Sequence, residues 1–245
     1  MNTSEPVDVL YSDTDLVAVN KPAGLISIRD GYNPERSNVL QILSEIFGKL
    51  WVVHRLDADT SGVLLFARNP GAHRHLSLQF EHHAVKKKYN LLVFGTFDWQ
   101  EKQVDWPLSV DGDRRHRTMI DHLDGKPAST AFQVIQRFGA DYAMLSALPL
   151  TGYTHQIRAH CSTLGLWLLN DPLYFPRLYP PQPESKTHNR IELFQKTTSL
   201  PIARTSLHAL SIQFEHPVTN QTLDISAPYP EDFSSTIKYL REKQP

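Results

Sequence analysis

The chain has one cysteine, Cys161, among 245 residues. A single thiol excludes an internal disulfide framework and any zinc site built on several thiolates. Long apolar runs are also missing. Nothing approaches the roughly 20 residues that cross a bilayer. The opening MNTSEPVDVLYSDTD is polar and acidic, without the apolar centre of an export signal. Charge of one sign is absent too: 25 Lys and Arg stand against 26 Asp and Glu, for a net charge of −1. No global basic field is therefore available to hold nucleic acid. There is no internal repeat and no linker that splits the chain. These absences predict a cytoplasmic, membrane-free monomer, folded as one domain over 1–245.

What is present is an ordinary globular composition, 40% hydrophobic and 21% charged. The charges are unevenly placed. Arg55, Arg68, Arg74 and Lys86 to Lys88 outnumber Asp57, Asp59 and Glu81 in segment 51–90, and Arg114-Arg115-His116-Arg117 forms a second basic run. The first 50 residues lean acidic. A local basic face on a neutral protein is compatible with this pattern, and so are plain solvated surface charges.

Val7 to Tyr11 and Leu16 to Asn20 read as a hairpin, ended by the turn Lys21-Pro22-Ala23-Gly24. Leu40, Leu43, Ile46 and Phe47 recur at helical spacing between the caps Ser37 or Asn38 and the stop Gly48. Val63 to Ala67 is a strand. Asn69-Pro70 then opens a helix to about His83, and Tyr89 to Phe94 is the next strand. Residues 98–130 are irregular, with short strands. Ala131 to Gln136 and Tyr142 to Leu148 pair around Phe138-Gly139-Ala140-Asp141. A loop from Thr151 feeds a helix from His155 to Leu164, and 176–200 reads as a long surface loop. Leu207 to Phe214, Thr222 to Ser226 and a helix from Glu231 to Arg241 close the chain. Hairpin-length connections predict an α+β fold, a mainly antiparallel mixed β-sheet core flanked by helices and loops.

The segment His54-Arg55-Leu56-Asp57-Ala58-Asp59-Thr60-Ser61-Gly62 sets a carboxylate and an arginine on a turn that runs straight into an apolar strand. Charged turns at strand ends are where sites sit. HRLD followed by TSG resembles the signature of the RluA-type pseudouridine synthases. Four more segments are similar to that family in the expected order: Asn20-Lys21-Pro22-Ala23-Gly24, Lys87-Lys88-Tyr89, Thr151-Gly152-Tyr153-Thr154-His155-Gln156-Ile157-Arg158, and Leu207-His208-Ala209 with Phe214-Glu215-His216-Pro217. The likeness covers about residues 8–228.

The resemblance implies a pseudouridine synthase catalytic domain that isomerises particular uridines in tRNA or rRNA, with no cofactor, no metal and no S4-like domain ahead of it. It implies that Asp57 is the nucleophile, that Arg158 pairs with it and that Tyr89 lies against the target base. Arg55 is the wedge that displaces the base. Arg68, Lys87 and Lys88 are candidate phosphate contacts, and Tyr153 and His155 complete the candidate RNA-binding set. His54, His155 and His208 read as residues that hydrogen-bond the loops around the site. Two departures stand out: Tyr153 replaces the usual arginine, and Asn170-Asp171 replaces Gly-Asp, where Asn can supply the positive φ of Gly.

Other readings are weaker. The deaminase pattern and HExxH are absent. A glycosidic-bond hydrolase normally needs a second carboxyl as acid, whereas Asp59 reads as a turn residue. A non-catalytic RNA-binding or RNA-folding module on the same scaffold would not need Asp57, Tyr89 and Arg158 together.

Overall fold

The computed structural model describes residues 7–174 and 199–243, so the expected loop at 176–200 lies outside the described residues except for its last two. Along the chain run β1 (Asp8–Ser12), β2 (Leu16–Lys21), α1 (Val39–Phe47), β3 (Trp51–Val52), β4 (Ser61–Ala67), α2 (Pro70–Glu81) and β5 (Lys86–Phe94). Then come β6 (Glu101–Val104), β7 (Leu108–Ser109), β8 (Met119–Ile120), β9 (Thr130–Phe138), β10 (Tyr142–Pro149), α3 (Gln156–Thr163) and β11 (Trp167–Leu168). Last are β12 (Leu207–Glu215), β13 (Thr222–Ser226) and α4 (Glu231–Glu242). The residues pack as two compact units. The first takes the chain up to Tyr89 and regains it for His208–Tyr229; the second holds Asn90–Leu207 and the segment from Pro230.

In the first unit the hydrogen-bonded order is β1-β2-β4-β12, with β13 on β12. All seven residues of β4 are buried. The reason lies in its alternation. Val63, Leu65 and Ala67 meet Ala72 and Leu76 of α2, while Leu64 and Phe66 meet Val39 and Leu43 of α1. A strand with a helix on each face reads as a continuous apolar run, and the sequence shows one. Both helices start where their caps predict. Asn38 Oδ1 accepts from Gln41 N–H at 2.9 Å and Asn69 Oδ1 from Ala72 N–H at 2.8 Å. Gly48 ends α1 at φ 74°.

β4 begins two residues earlier than its apolar run. Ser61 and Gly62 pair in parallel with His208 and Ala209 of β12, about 150 residues away in sequence. Phe66 and Ala67 pair on the same side with the short strand β3, which the pattern did not predict. At Gly62 (φ 112°) a Cβ would stand 2.1 Å from the carbonyl oxygen of Ala209, so only glycine fits. The buried His208 completes this junction. Its Nδ1 accepts from Ser61 Oγ at 3.0 Å and its Nε2–H donates to Ala227 O at 3.2 Å.

In the second unit the order is β5-β10-β9-β6, and β11 pairs with β5. β9 and β10 form the expected hairpin, turning at Gly139 (φ 64°). The irregular stretch 98–130 contains the edge strand β6 and the two-residue pair β7–β8.

Gly62→Ala is expected to cost about 4 kcal/mol or more, because both the contact and the backbone forbid it. Gly139→Ala, at positive φ with open space around it, should cost only about 1 kcal/mol. Urea unfolding of the two variants measures the difference.

Candidate active site

The Asp57 turn is built by backbone contacts. Asp57 C=O accepts from Thr60 N–H at 3.1 Å, closing a turn over Ala58-Asp59. The carbonyl of Ala58 then takes two donors, Gly24 N–H at 2.9 Å and Lys21 Nζ at 2.8 Å. Lys21 is wholly buried, and its ammonium also donates to Pro22 O and Leu25 O. The NKPAG turn is therefore fastened to the HRLDAD turn through one buried cation. On the other side of Asp57, buried Ser27 donates Oγ–H to Leu56 O at 2.8 Å and accepts Leu56 N–H at 3.0 Å. These contacts fix both neighbours of Asp57.

His54 fills a gap in a β ladder. The edge of β4 that pairs with β12 at one end and β3 at the other leaves Leu65 N–H between them, and His54 Nε2 accepts it at 3.0 Å. The ring stacks on Phe80 with centroids 4.9 Å apart. Burial, reinforced by the charge of Lys87, drives the His54 pKa down to about 3. His54 is thus a neutral acceptor that anchors the segment, as the sequence suggested.

Tyr89 shares the environment of Asp57. Burial first, and then the negative charge of Asp57, raise the phenol well above its usual range. Tyr89 therefore keeps its proton at neutral pH. Lys87 lies two residues before it on β5, so both project to the same face. Burial lowers the Lys87 pKa to about 8. Lys88 is on the opposite, exposed face, and Arg55 is exposed beside the turn. Arg68 is placed differently. It follows the far end of β4, roughly 20 Å of strand from Ser61. There its guanidinium bonds Asp13 O and lies 5.1 Å from the Phe47 ring centroid. The structure gives it a role in the β1–β2 turn and not at the Asp57 turn.

In the second unit Arg158 is almost completely buried and meets Asp171 edge-on. Its Nε donates to Oδ2 at 2.7 Å and Nη2 to Oδ1 at 2.8 Å. Asp171 also accepts Leu173 N–H at 2.9 Å and Tyr174 N–H at 3.0 Å. The Arg158 guanidinium stands 5.0 Å from the ring centroid of Tyr174. Asn170 takes φ 54°, the conformation expected of the residue replacing glycine, and delivers Asp171 to this position. The fork uses the Nε–Nη2 edge of the guanidinium.

Gln156 holds the TGYTHQ loop. It accepts from Thr151 Oγ1 at 2.7 Å and donates to Ser129 O and Thr130 Oγ1 at 2.9 Å. His160 continues the chain, accepting from Thr130 Oγ1 and donating to Trp106 O. His155 sits at φ 57° and starts α3 one residue later than predicted. Tyr153 packs against the cluster of Leu108, Ala128, Ala159 and Tyr174. Asp171 and Tyr174 were not singled out as site residues by sequence. The signal available for them was the Asn-Asp turn ahead of Pro172.

Among the described residues Asp13, Asp15 and His216 bring three donor atoms within 4.8 Å, a spacing that could hold a metal ion. Their hydrogen bonds give a second account. His216 Nε2–H donates to Asp13 Oδ2 at 2.8 Å, while its Nδ1 accepts Val218 and Thr219 N–H. The trio joins the β1–β2 and β12–β13 turns.

Two outcomes follow. Below pH 6.5 the unfolded chain protonates His54 while the folded chain resists it. That contribution to stability is present above pH 6.5 and is lost as pH falls toward 3, at up to about 1.4 kcal/mol per unit. Urea titrations from pH 7 to pH 4 should show a shallower loss for His54→Gln. At pH 7, Asp171→Asn should lower unfolding stability by about 3–5 kcal/mol, since it removes a carboxylate that holds a buried guanidinium with two hydrogen bonds.

A family model described as RNA pseudouridylate synthase matches residues 15–163, a span that includes Lys21, Asp57, Tyr89 and Arg158. The chain is 33% identical over 226 residues to the dual-specificity RNA pseudouridine synthase RluA of Pasteurella multocida, covering 92% of this chain and 94% of that one. It is 33% identical over 235 residues to the ribosomal large subunit pseudouridine synthase C of Vibrio cholerae, covering 96% and 69%. Among solved structures, human RNA pseudouridylate synthase domain containing 4 matches at a TM-score of 0.73 and 24% identity over 96% of this chain and 93% of that one, a likeness of fold. With most of its length matched at this level, the chain belongs to the RNA pseudouridylate synthase family.

Proposed function

We propose that this isomerase converts uridine to pseudouridine in a small, locally structured stem-loop of tRNA or ribosomal RNA, as a cytoplasmic monomer. The reaction breaks the C1′–N1 bond, turns the uracil and joins C1′ to C5. The C5 proton leaves and N1 gains one, so the product is an isomer and no redox partner is needed. Asp57 supplies the carboxylate that attacks C1′ or balances its developing positive charge. The observation that carries the reading is the half-buried Tyr89 phenol, close enough to Asp57 for the carboxylate's charge to add to the rise of its pKa. A carboxylate and a flat ring in one environment are what a detached, turning base requires.

The protonated state of Tyr89 favours stacking over proton abstraction as its role. In this reading Arg158 is the cation that keeps Asp57 ionised. Its bidentate hold on Asp171 limits its freedom and supports that task. The target base must leave its stack, at a cost of a few kcal/mol. Exposed Arg55, next to the turn, is the wedge, and Lys88 contacts phosphate. Lys87, on the Tyr89 face, is the second phosphate contact of this reading. Tyr153 and His155 flank the RNA from the THQIR loop.

A stem-loop labelled with tritium at uridine C5 tests the reaction, because joining C1′ to C5 releases the label to water. The wild type should release it, and Asp57→Asn should lose at least about 10⁴-fold in rate while still binding the RNA. Tyr89→Phe should stay within about 10-fold of wild type, and Tyr89→Leu should fall further. Equal losses in Phe and Leu would assign the work to the hydroxyl. A wild type that binds the panel of stem-loops and releases no label would remove the proposal.

A further inference from the structure

The basic run after β7 is organised more closely than its sequence suggests. Asp113 Oδ1 accepts the N–H groups of Arg115 at 3.0 Å and Arg117 at 3.1 Å, and its Oδ2 accepts Arg117 Nε at 2.7 Å. Gly112 N–H reaches Arg117 O at 2.8 Å, closing the tip. His116, at φ 56°, pairs with Asp111 at 3.0 Å. Arg117 is buried, with Nη1 directed at Leu173 O. The acids of the tip are thus engaged by Arg117 and His116. Arg114 and Arg115 are exposed, and among the described residues neither side chain makes a hydrogen bond or ion pair.

The base of the tip is tied to the Arg158 surroundings. Thr118 N–H donates to Tyr174 Oη at 2.7 Å, and Thr118 Oγ1 donates to Thr154 O of the THQIR loop at 2.6 Å. Tyr174 is the ring under Arg158. Arg114 and Arg115 precede Thr118 by four and three residues, at most roughly 10–14 Å of chain. The hydrogen-bonded tip fixes the backbone that carries the two arginines, so binding has only their side chains left to order. Planar forks of this kind match phosphate oxygens bidentately.

We propose that Arg114 and Arg115 form a phosphate-binding tip that grips the backbone of the RNA substrate. This rests on the RNA substrate reading above. The chain has a net charge of −1, so its phosphate contacts must be local and few, and two arginines make a large share of them. The tip is a site for backbone and not for bases, and it adds affinity without choosing sequence.

The test compares wild type with the Arg114→Ala/Arg115→Ala double variant on a labelled stem-loop between 50 and 200 mM salt. Both residues are exposed, and an unchanged melting temperature verifies the fold. Two lost phosphate contacts should make the slope of log affinity against log salt shallower by about 1.5. At about 100 mM salt, KM for RNA should rise at least about 10-fold, with kcat at saturating RNA within about 2-fold of wild type. Arg114→Lys/Arg115→Lys should recover the slope. An unchanged slope and KM would overturn the tip, as would a fall confined to kcat, which would mean action through Thr118 on Arg158. A wild type with no salt-dependent RNA binding would instead overturn the RNA reading itself.

Discussion

One buried ammonium holds the Asp57 turn of the first unit in place. Lys21 has no exposed surface, and its three donors meet the carbonyls of Pro22, Leu25 and Ala58. A buried cation is tolerable only when fully bonded, so these three carbonyls must converge. Two of them belong to the Lys21 turn itself, and the third belongs to the residue after Asp57. The position of the carboxylate is therefore set by the backbone around it. Ser27 and His54 fix the preceding residues in the same way, one through Leu56 and the other through the open rung at Leu65. The backbone on both sides of Asp57 is thereby held.

The second unit also buries a cation, but meets it with a carboxylate in place of backbone carbonyls. Arg158 is buried, and Asp171 holds it with two hydrogen bonds while capping its own turn with two more. The Tyr174 ring supports the guanidinium, and its hydroxyl bonds Thr118. Histidines in both units act as connectors. His54 accepts a strand N–H, His160 links Thr130 to Trp106, and His208 links Ser61 to Ala227. Each holds segments distant in sequence, where metal chelation would have clustered them.

Local chemistry was legible in the sequence. Asn38, Asn69 and Gly48 cap the helices as their types predict, and Asn170 takes the positive φ expected of it. The α+β class and the hairpin β9–β10 followed from period and turn residues. The Asp57 turn and the Tyr89 strand were marked by their motifs. What was hidden depends on long-range pairing. Ser61 and Gly62 look like loop until β12 arrives beside them. β3 is two residues long and exists only because β4 has an open edge. Arg68 looked like a site cation from its sequence neighbours, yet a seven-residue strand carries it to the far end. Asp171 looked like a turn residue, and its bond to Arg158 crosses 13 positions. Sequence spacing does not reveal which buried charges will be paired.

The central claim is that Asp57 performs uridine isomerisation on a cellular RNA. Pseudouridine mapping across total RNA tests it most directly, using cells that lack this protein and the same cells supplied with wild type or Asp57→Asn. The account predicts at least one uridine that loses its modification in the deletion, regains it with wild type and stays unmodified with Asp57→Asn. A profile that is unchanged by the deletion, or that is restored equally by Asp57→Asn, would contradict it.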